Sequence, residues 1–194
     1  MTRKKKDKIE KYNKVDLVPL DILKASILKS DTGLLFCFGT SFISRVIQAK
    51  TKLYDEEQVP SHVAMIVDGQ FLYESTSAPE KLGNKRIPSG VRRYLLKDFY
   101  RLEKGKETEY YFYPCDLLSS QLEKYLFYPY GKDTIVDFLL RDGSDGDSKG
   151  LICSQYANIC SEILDDEPCP TPADLFRAIR WLNIVNFYYQ CIEI

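Results

Sequence analysis

Ser61-His62-Val63-Ala64-Met65-Ile66-Val67-Asp68-Gly69-Gln70-Phe71-Leu72-Tyr73-Glu74-Ser75 is the stretch on which the fold turns. Two runs rich in β-branched and aromatic residues, His62–Val67 and Gln70–Glu74, flank Asp68-Gly69, a dipeptide that accepts the positive φ angles of a tight hairpin turn. The spacing predicts an antiparallel strand pair. Counting across a two-residue turn sets Val67 against Gln70 and His62 against Ser75, beside Glu74.

Outward from this hairpin, Thr32-Gly33 punctuates the chain before Leu34-Leu35-Phe36-Cys37-Phe38, a continuous apolar run suited to a buried strand. Leu20–Leu28 and Ser41–Thr51 carry apolar residues at helical spacing. Residues 76–90 hold prolines, glycines and Asn84 and read as a long loop. Val91–Leu95 and the aromatic Thr108–Tyr113 read as strands, the latter stopped by Pro114. The second half reads mainly as helix, over Ser119–Tyr128, Thr134–Leu140, Cys153–Leu164 and Ala173–Trp181, with Asn186–Cys191 as a closing strand. This is a segregated α+β pattern, a small antiparallel sheet packed against helices, not a parallel βαβ array.

At 194 residues, with 44% hydrophobic and 28% charged residues, the chain is sized for one globular domain. We place that domain at 16–194, behind a basic tail at 1–15. The formal net charge of −1 predicts no general attraction to nucleic acid. No run approaches the ~20 apolar residues of a spanning helix, and the basic N-terminus lacks the apolar core of a secretory signal. A cytoplasmic location is the expectation, and a phage- or virus-encoded protein acting in a host cytoplasm fits it.

Six scattered cysteines with no Cys-x-x-Cys pair, and a single histidine, argue against a structural zinc site. Neither a metal nor a cofactor is expected. Asp142, Asp145 and Asp147 invite comparison with a calcium loop, but a loop begun at Asp145 puts Lys149 fifth and Tyr156 twelfth. The match fails, leaving Arg141–Gly150 as a solvated loop. The tyrosines between Tyr110 and Tyr130 read first as packing residues, with an aromatic binding cleft as the alternative.

Three residues can carry chemistry. Cys153 follows Gly150-Leu151-Ile152 at the predicted start of a helix, where unsatisfied N–H groups and the helix dipole favour the nucleophilic thiolate. The plainer alternative is a core cysteine, as expected for Cys160. His62 is the only imidazole in the chain, and a thiol nucleophile needs a base that titrates near neutrality. Its alternative is a satisfied structural histidine. Glu74, beside His62 across the hairpin, suits the orienting carboxylate of a triad. A solvated strand-end glutamate is the competing reading, and Ser75, Thr76 or Gln70 are competing orienters.

In combination these segments resemble the circularly permuted papain-like hydrolases of the YiiX-like type, relatives of the NlpC peptidases and of lecithin:retinol acyltransferase. The order His, acidic residue, Cys carries the resemblance, in Ser61–Val67, Tyr73-Glu74-Ser75 and Cys153-Ser154-Gln155-Tyr156-Ala157. Thr32–Phe36, Gly90-Val91-Arg92, Leu96-Lys97-Asp98-Phe99, Tyr130-Gly131-Lys132-Asp133 with Phe138, and Thr171-Pro172-Ala173-Asp174-Leu175 are similar to further family segments. The chain departs from the family at Leu34, where an aspartate is usual, and at Gln155, where the family's Tyr-Cys-Ser-Glu has glutamate.

The resemblance implies a permuted papain-like fold and acyl transfer through a thioester, with Cys153 as nucleophile, His62 as base and Glu74 orienting the ring. It implies a peptide, a peptidoglycan fragment or a lipid amide or ester as substrate. An acyltransferase or lipid-amide hydrolase on the same scaffold is the nearest alternative. A non-catalytic viral or phage binding protein that keeps the fold is the more distant one.

Overall fold

The computed structural model describes residues 16–53, 58–131, 150–164, 167 and 169–192. In chain order the elements are Val18–Pro19 (β1), Leu20–Ser26 (α1), Gly33–Gly39 (β2), Phe42–Thr51 (α2), His62–Val67 (β3), Phe71–Thr76 (β4), Glu80–Leu82 (β5), Lys85–Ile87 (β6), Gly90–Leu95 (β7), Leu96–Glu103 (α3), Thr108–Pro114 (β8), Ser119–Lys124 (α4), Cys153–Ser161 (α5) and Pro172–Ile192 (α6). The fold is α+β. An antiparallel sheet in the order β1-β8-β2-β3-β4-β7 is packed against helices, and β5 and β6 form a separate hairpin.

The alternation of side chains along β2 and β3 explains their unbroken apolar runs. Leu34, Phe36, Phe38, Val63 and Met65 point to one face, where they meet Tyr156, Ala157 and Cys160 of α5 and Leu175, Phe176 and Ile179 of α6. Leu35, Cys37, Ala64 and Ile66 point to the other, against Leu23 of α1 and Leu96 and Phe99 of α3. Strands covered on both faces need apolar side chains at every position. Each fully buried aliphatic or aromatic side chain contributes about 2 kcal/mol, so the two faces together hold the sheet's central strands in place.

The hairpin at Asp68-Gly69 forms, with positive φ at both residues (53° and 57°). Gln70 N donates to Val67 O at 3.1 Å, closing the two-residue turn. Beyond the turn the register differs from the expected one. Phe71, not Gln70, aligns with Val67, and Met65 aligns with Tyr73. Gln70 is an extra residue whose carbonyl instead accepts from Leu96 N at 2.7 Å. A slip of one residue exchanges the faces of a strand. Here it moves Glu74 onto the face of His62, where the simple count would have put it on the opposite one.

Two other expectations are corrected. The segment 76–90 is not a loop throughout, since Glu80–Leu82 and Lys85–Ile87 pair around Gly83-Asn84, with Gly83 at φ 60°. Asn186–Cys191 is not a strand but the end of α6, which runs without a Gly or Pro from Ala173 onward. The basic tail at 1–15, Thr134–Leu140, Phe138 and the Asp142/Asp145/Asp147 loop lie outside the described residues.

Candidate active site

The first turn of α5 is fixed from both sides of the chain. Leu151 bridges to Tyr130, with Leu151 N donating to Pro129 O at 3.0 Å. A side chain at Gly150 would place Cβ 2.6 Å from Pro129 O, which explains the glycine three residues before Cys153. Ser75 of β4 donates its hydroxyl to Leu151 O at 2.5 Å. Gln155 Oε1 accepts from Ile152 N at 3.1 Å, which ties down the helix entry. Cys153 is thereby held as the first residue of the helix, where its own N–H has no intrahelical acceptor.

The sheet opens at this point. The β3–β4 ladder runs from Val67↔Phe71 to Met65↔Tyr73, and β3 continues three residues beyond it, to His62. The backbone N–H groups of Val63 and Ser154 act on the Cys153 sulfur in the direction that lowers its pKa. Cys153 belongs to the α5 side of the core, whereas His62 lies on the face of its cross-strand neighbour Cys37. The thiol and the imidazole therefore approach each other through the mouth of the splayed strands.

His62 Nε2 meets Glu74 Oε2 at 2.8 Å, and His62 lines the same cleft as Cys153, so Nδ1 is the ring nitrogen left for the sulfur. Glu74 is almost fully buried, and its second oxygen is occupied. Oε1 accepts from Arg92 Nε at 2.9 Å, Arg92 Nη2 at 2.6 Å and Tyr94 Oη at 2.6 Å. Glu74 lies directly opposite Arg92 in the β4–β7 ladder, and Leu72 opposite Tyr94, so all three polar side chains share the His62 face.

The electrostatics follow from these contacts. Burial works against a charged imidazole, but the Cys153 thiolate, with Glu74, outweighs it and pushes His62 up from 6.5 to about 10. Burial works likewise against the thiolate. The adjacent imidazolium and the N–H groups of Val63 and Ser154 nevertheless hold Cys153 below its ordinary value. Glu74 is drawn down from 4.5 to about 2, since its bonds to His62, Arg92 and Tyr94 exceed the cost of burial. Both shifts favour a thiolate–imidazolium pair, backed by a carboxylate, over the neutral pair.

A cleft of about 280 Å³ opens beside Cys153 and His62, walled by Ile43, Ile47, Ile152 and Pro172 and by Tyr130. Burial, then the nearby thiolate, raises the Tyr130 phenol, which stays a neutral hydrogen-bond donor. The N-terminus of α6 closes one side of this cleft. Thr171 Oγ1 accepts from Asp174 N at 3.2 Å while Asp174 Oδ2 accepts from Thr171 N at 2.9 Å, a reciprocal cap with proline at the first helical position. Behind the imidazole a second, more polar cavity of about 470 Å³ is lined by Glu74, Glu80, Arg92 and Glu103.

Cys153, His62 and Glu74, chosen from sequence, are brought together through His62, which bonds Glu74 and lines the same cleft as Cys153. Of the competing orienters, Ser75 binds the Leu151 carbonyl instead, and no bond from Gln70 or Thr76 to the imidazole is found. Arg92 and Tyr94 were not singled out as site residues. Their signal was the alternation of β7 opposite Glu74, which is readable only once the register is known. Cys37, Cys115 and Cys160 are free thiols. No group of three or more His, Cys, Asp or Glu side chains fit to hold a metal occurs among the described residues, and no helix among them is long and apolar enough to cross a membrane.

No protein-family model, curated protein or solved structure matches this chain.

Proposed function

We propose that this protein is a cysteine hydrolase of papain-like chemistry on a circularly permuted, NlpC-related scaffold of the YiiX-like type. The observation that carries the reading is that Cys153, the first residue of a helix, shares one cleft with His62, whose ring is bonded to the buried Glu74. An inert core thiol needs no such partners, and burial alone would push it toward the neutral form. Cys37 shows that case: buried in the same region, it is raised well above its ordinary value, by desolvation first.

In the proposed cycle the Cys153 thiolate attacks an amide or ester carbonyl, and the electrons move onto the carbonyl oxygen. The Cys153 N–H and the Tyr130 hydroxyl are among the donors at the cleft that could serve that oxyanion. His62 Nδ1–H protonates the leaving group as the tetrahedral species collapses to a thioester. Water, deprotonated by His62, then releases the acid and restores the thiolate. Glu74 holds the ring in the tautomer that presents Nδ1 to the sulfur. The apolar wall of Ile43, Ile47, Ile152 and Pro172 favours an aliphatic acyl group, which keeps lipid-amide hydrolysis, or transfer to an acceptor other than water, as the second reading.

The test is a panel of peptide, peptidoglycan-fragment and lipid-ester substrates, followed by intact-protein mass spectrometry after rapid acid quench. Turnover of one class, with an acyl adduct mapped to Cys153 and a loss of about 10³-fold or more in Cys153→Ala and His62→Ala, is expected. Turnover that survives Cys153→Ala refutes the proposal.

A further inference from the structure

Arg92 is buried to within 3% of full enclosure and lies at the far end of the candidate site from the sulfur. All its nitrogens are engaged. Nε and Nη2 converge on Glu74 Oε1, Nη2 also reaches Glu80 Oε2 at 2.7 Å, and Nη1 donates to Ala78 O at 3.3 Å and Pro88 O at 3.4 Å. The guanidinium thus joins Glu74 to both ends of the β5–β6 hairpin. We propose that Arg92 is a positioning residue, acting through Glu74, so that the working unit is the four-membered chain Cys153–His62–Glu74–Arg92. The inference rests on the cysteine-hydrolase reading and deepens it.

A carboxylate can rotate to offer either oxygen. With the Arg92 fork and the Tyr94 hydroxyl all on Oε1, rotation would break three hydrogen bonds, so Oε2 stays directed at His62 Nε2. A planar fork can impose this and a point charge cannot, which distinguishes arginine from lysine here.

The second consequence is electrostatic. His62 is faced by Cys153 from α5, Glu74 from β4 and Cys37 from β2. Behind Glu74 stand Arg92 and Tyr94 from β7 and Glu80 from β5, with Lys106 3.7 Å from Glu80 and 2.6 Å from Glu103 of α3. Arg92 is the cation in direct contact with Glu74 besides the imidazolium itself, and it offsets part of the carboxylate's pull on the His62 proton. Removing that positive charge favours imidazolium and disfavours thiolate. Both titrations move to higher pH.

Because His62 is the sole histidine, its ring gives one assignable NMR signal, so the inference is testable with or without turnover. The ring is titrated in the full chain as wild type, Arg92→Met, Arg92→Lys, Glu74→Gln and Glu74→Gln/Arg92→Met, with thermal melts to confirm folding. Arg92→Met raises the midpoint by about one pH unit. Arg92→Lys, which restores the charge without the fork, returns it toward wild type while leaving kcat reduced about tenfold at unchanged KM. In the Glu74→Gln background the Arg92→Met effect shrinks to less than half, because its route through the carboxylate is gone.

An unmoved midpoint in Arg92→Met, or an equal movement without Glu74, overturns the proposal. If Arg92→Met does not fold, Glu80→Gln decides. It leaves Arg92 less compensated, so the midpoint falls, and no change there counts against the proposal equally. Cys153→Ala reports separately on the underlying reading. A midpoint that stays put in that variant removes the thiolate–imidazolium pair, whatever the Arg92 variants do.

Discussion

Replacing Glu74 by glutamine keeps the shape of the side chain and deletes the charge on which His62 and Arg92 converge. The carboxyl falls from 4.5 to about 2 in the folded protein. At ~1.4 kcal/mol per pH unit this corresponds to about 3 kcal/mol of native stabilisation. Glu74 is only 7% exposed, so little of that is lost to solvent screening, and a buried pair broken from one side typically costs a similar amount. For a chain of this length about 3 kcal/mol lowers Tm by about 6–12 °C. Because the folded carboxyl titrates lower than the unfolded one, its contribution is complete above pH 4.5 and disappears as pH falls toward about 2. Glu74→Gln is therefore less stable than wild type by about 3 kcal/mol at pH 7, and the gap closes through that acid window. Urea melts of both proteins at intervals from pH 7 to pH 3 measure it. Equal stability at pH 7, or a difference that persists undiminished in acid, would show that the carboxylate is not held by these partners.

Turnover should follow a bell-shaped profile, rising as Cys153 ionises below its usual 9.0 and falling near pH 10 as His62 loses its proton; a single rising limb with its midpoint at pH 9 or above would contradict the ion pair. Gly150→Ala forces the α5 entry away from Pro129 O, only 2.6 Å from the new Cβ. A displacement of about 1 Å at Cys153 should cost about 100-fold in kcat/KM with the fold retained by circular dichroism. Tyr94→Phe removes one of the three donors on Glu74 Oε1 and is expected to cost about 1 kcal/mol in urea melts and less than tenfold in kcat, since the Arg92 fork remains.

The strands of the core were legible because their side-chain patterns are local. The Leu34–Phe38 run and the Asp68-Gly69 turn each state their structure within a few residues. The register was not, because Gln70 becomes an extra residue only when Leu96 N is there to take its carbonyl, a contact 26 positions away in the chain. The β5–β6 hairpin was hidden by its brevity, since three-residue strands around Gly83-Asn84 are too short for alternation to show. The end of α6 was misread because Asn-Phe-Tyr-Tyr-Gln-Cys has local β propensity, which a helix already propagating from Pro172 overrides. For the site, the residue types alone pointed to Cys153 and His62, as the chain offers one imidazole. Arg92 and Tyr94 surface only through pairing, and neither has a chemical type that marks it before Glu74 is placed.

The claim beneath all of this is that a buried sulfur is a stabilised thiolate because an imidazolium stands beside it. The most direct measurement is the iodoacetamide alkylation rate of each cysteine at pH 6, resolved by peptide mass mapping. Cys153 is only 7% exposed, yet it should react faster than the more accessible Cys169 and Cys115, and His62→Ala should remove that advantage. A Cys153 that reacts more slowly than those two, or at the same rate with and without the imidazole, contradicts it.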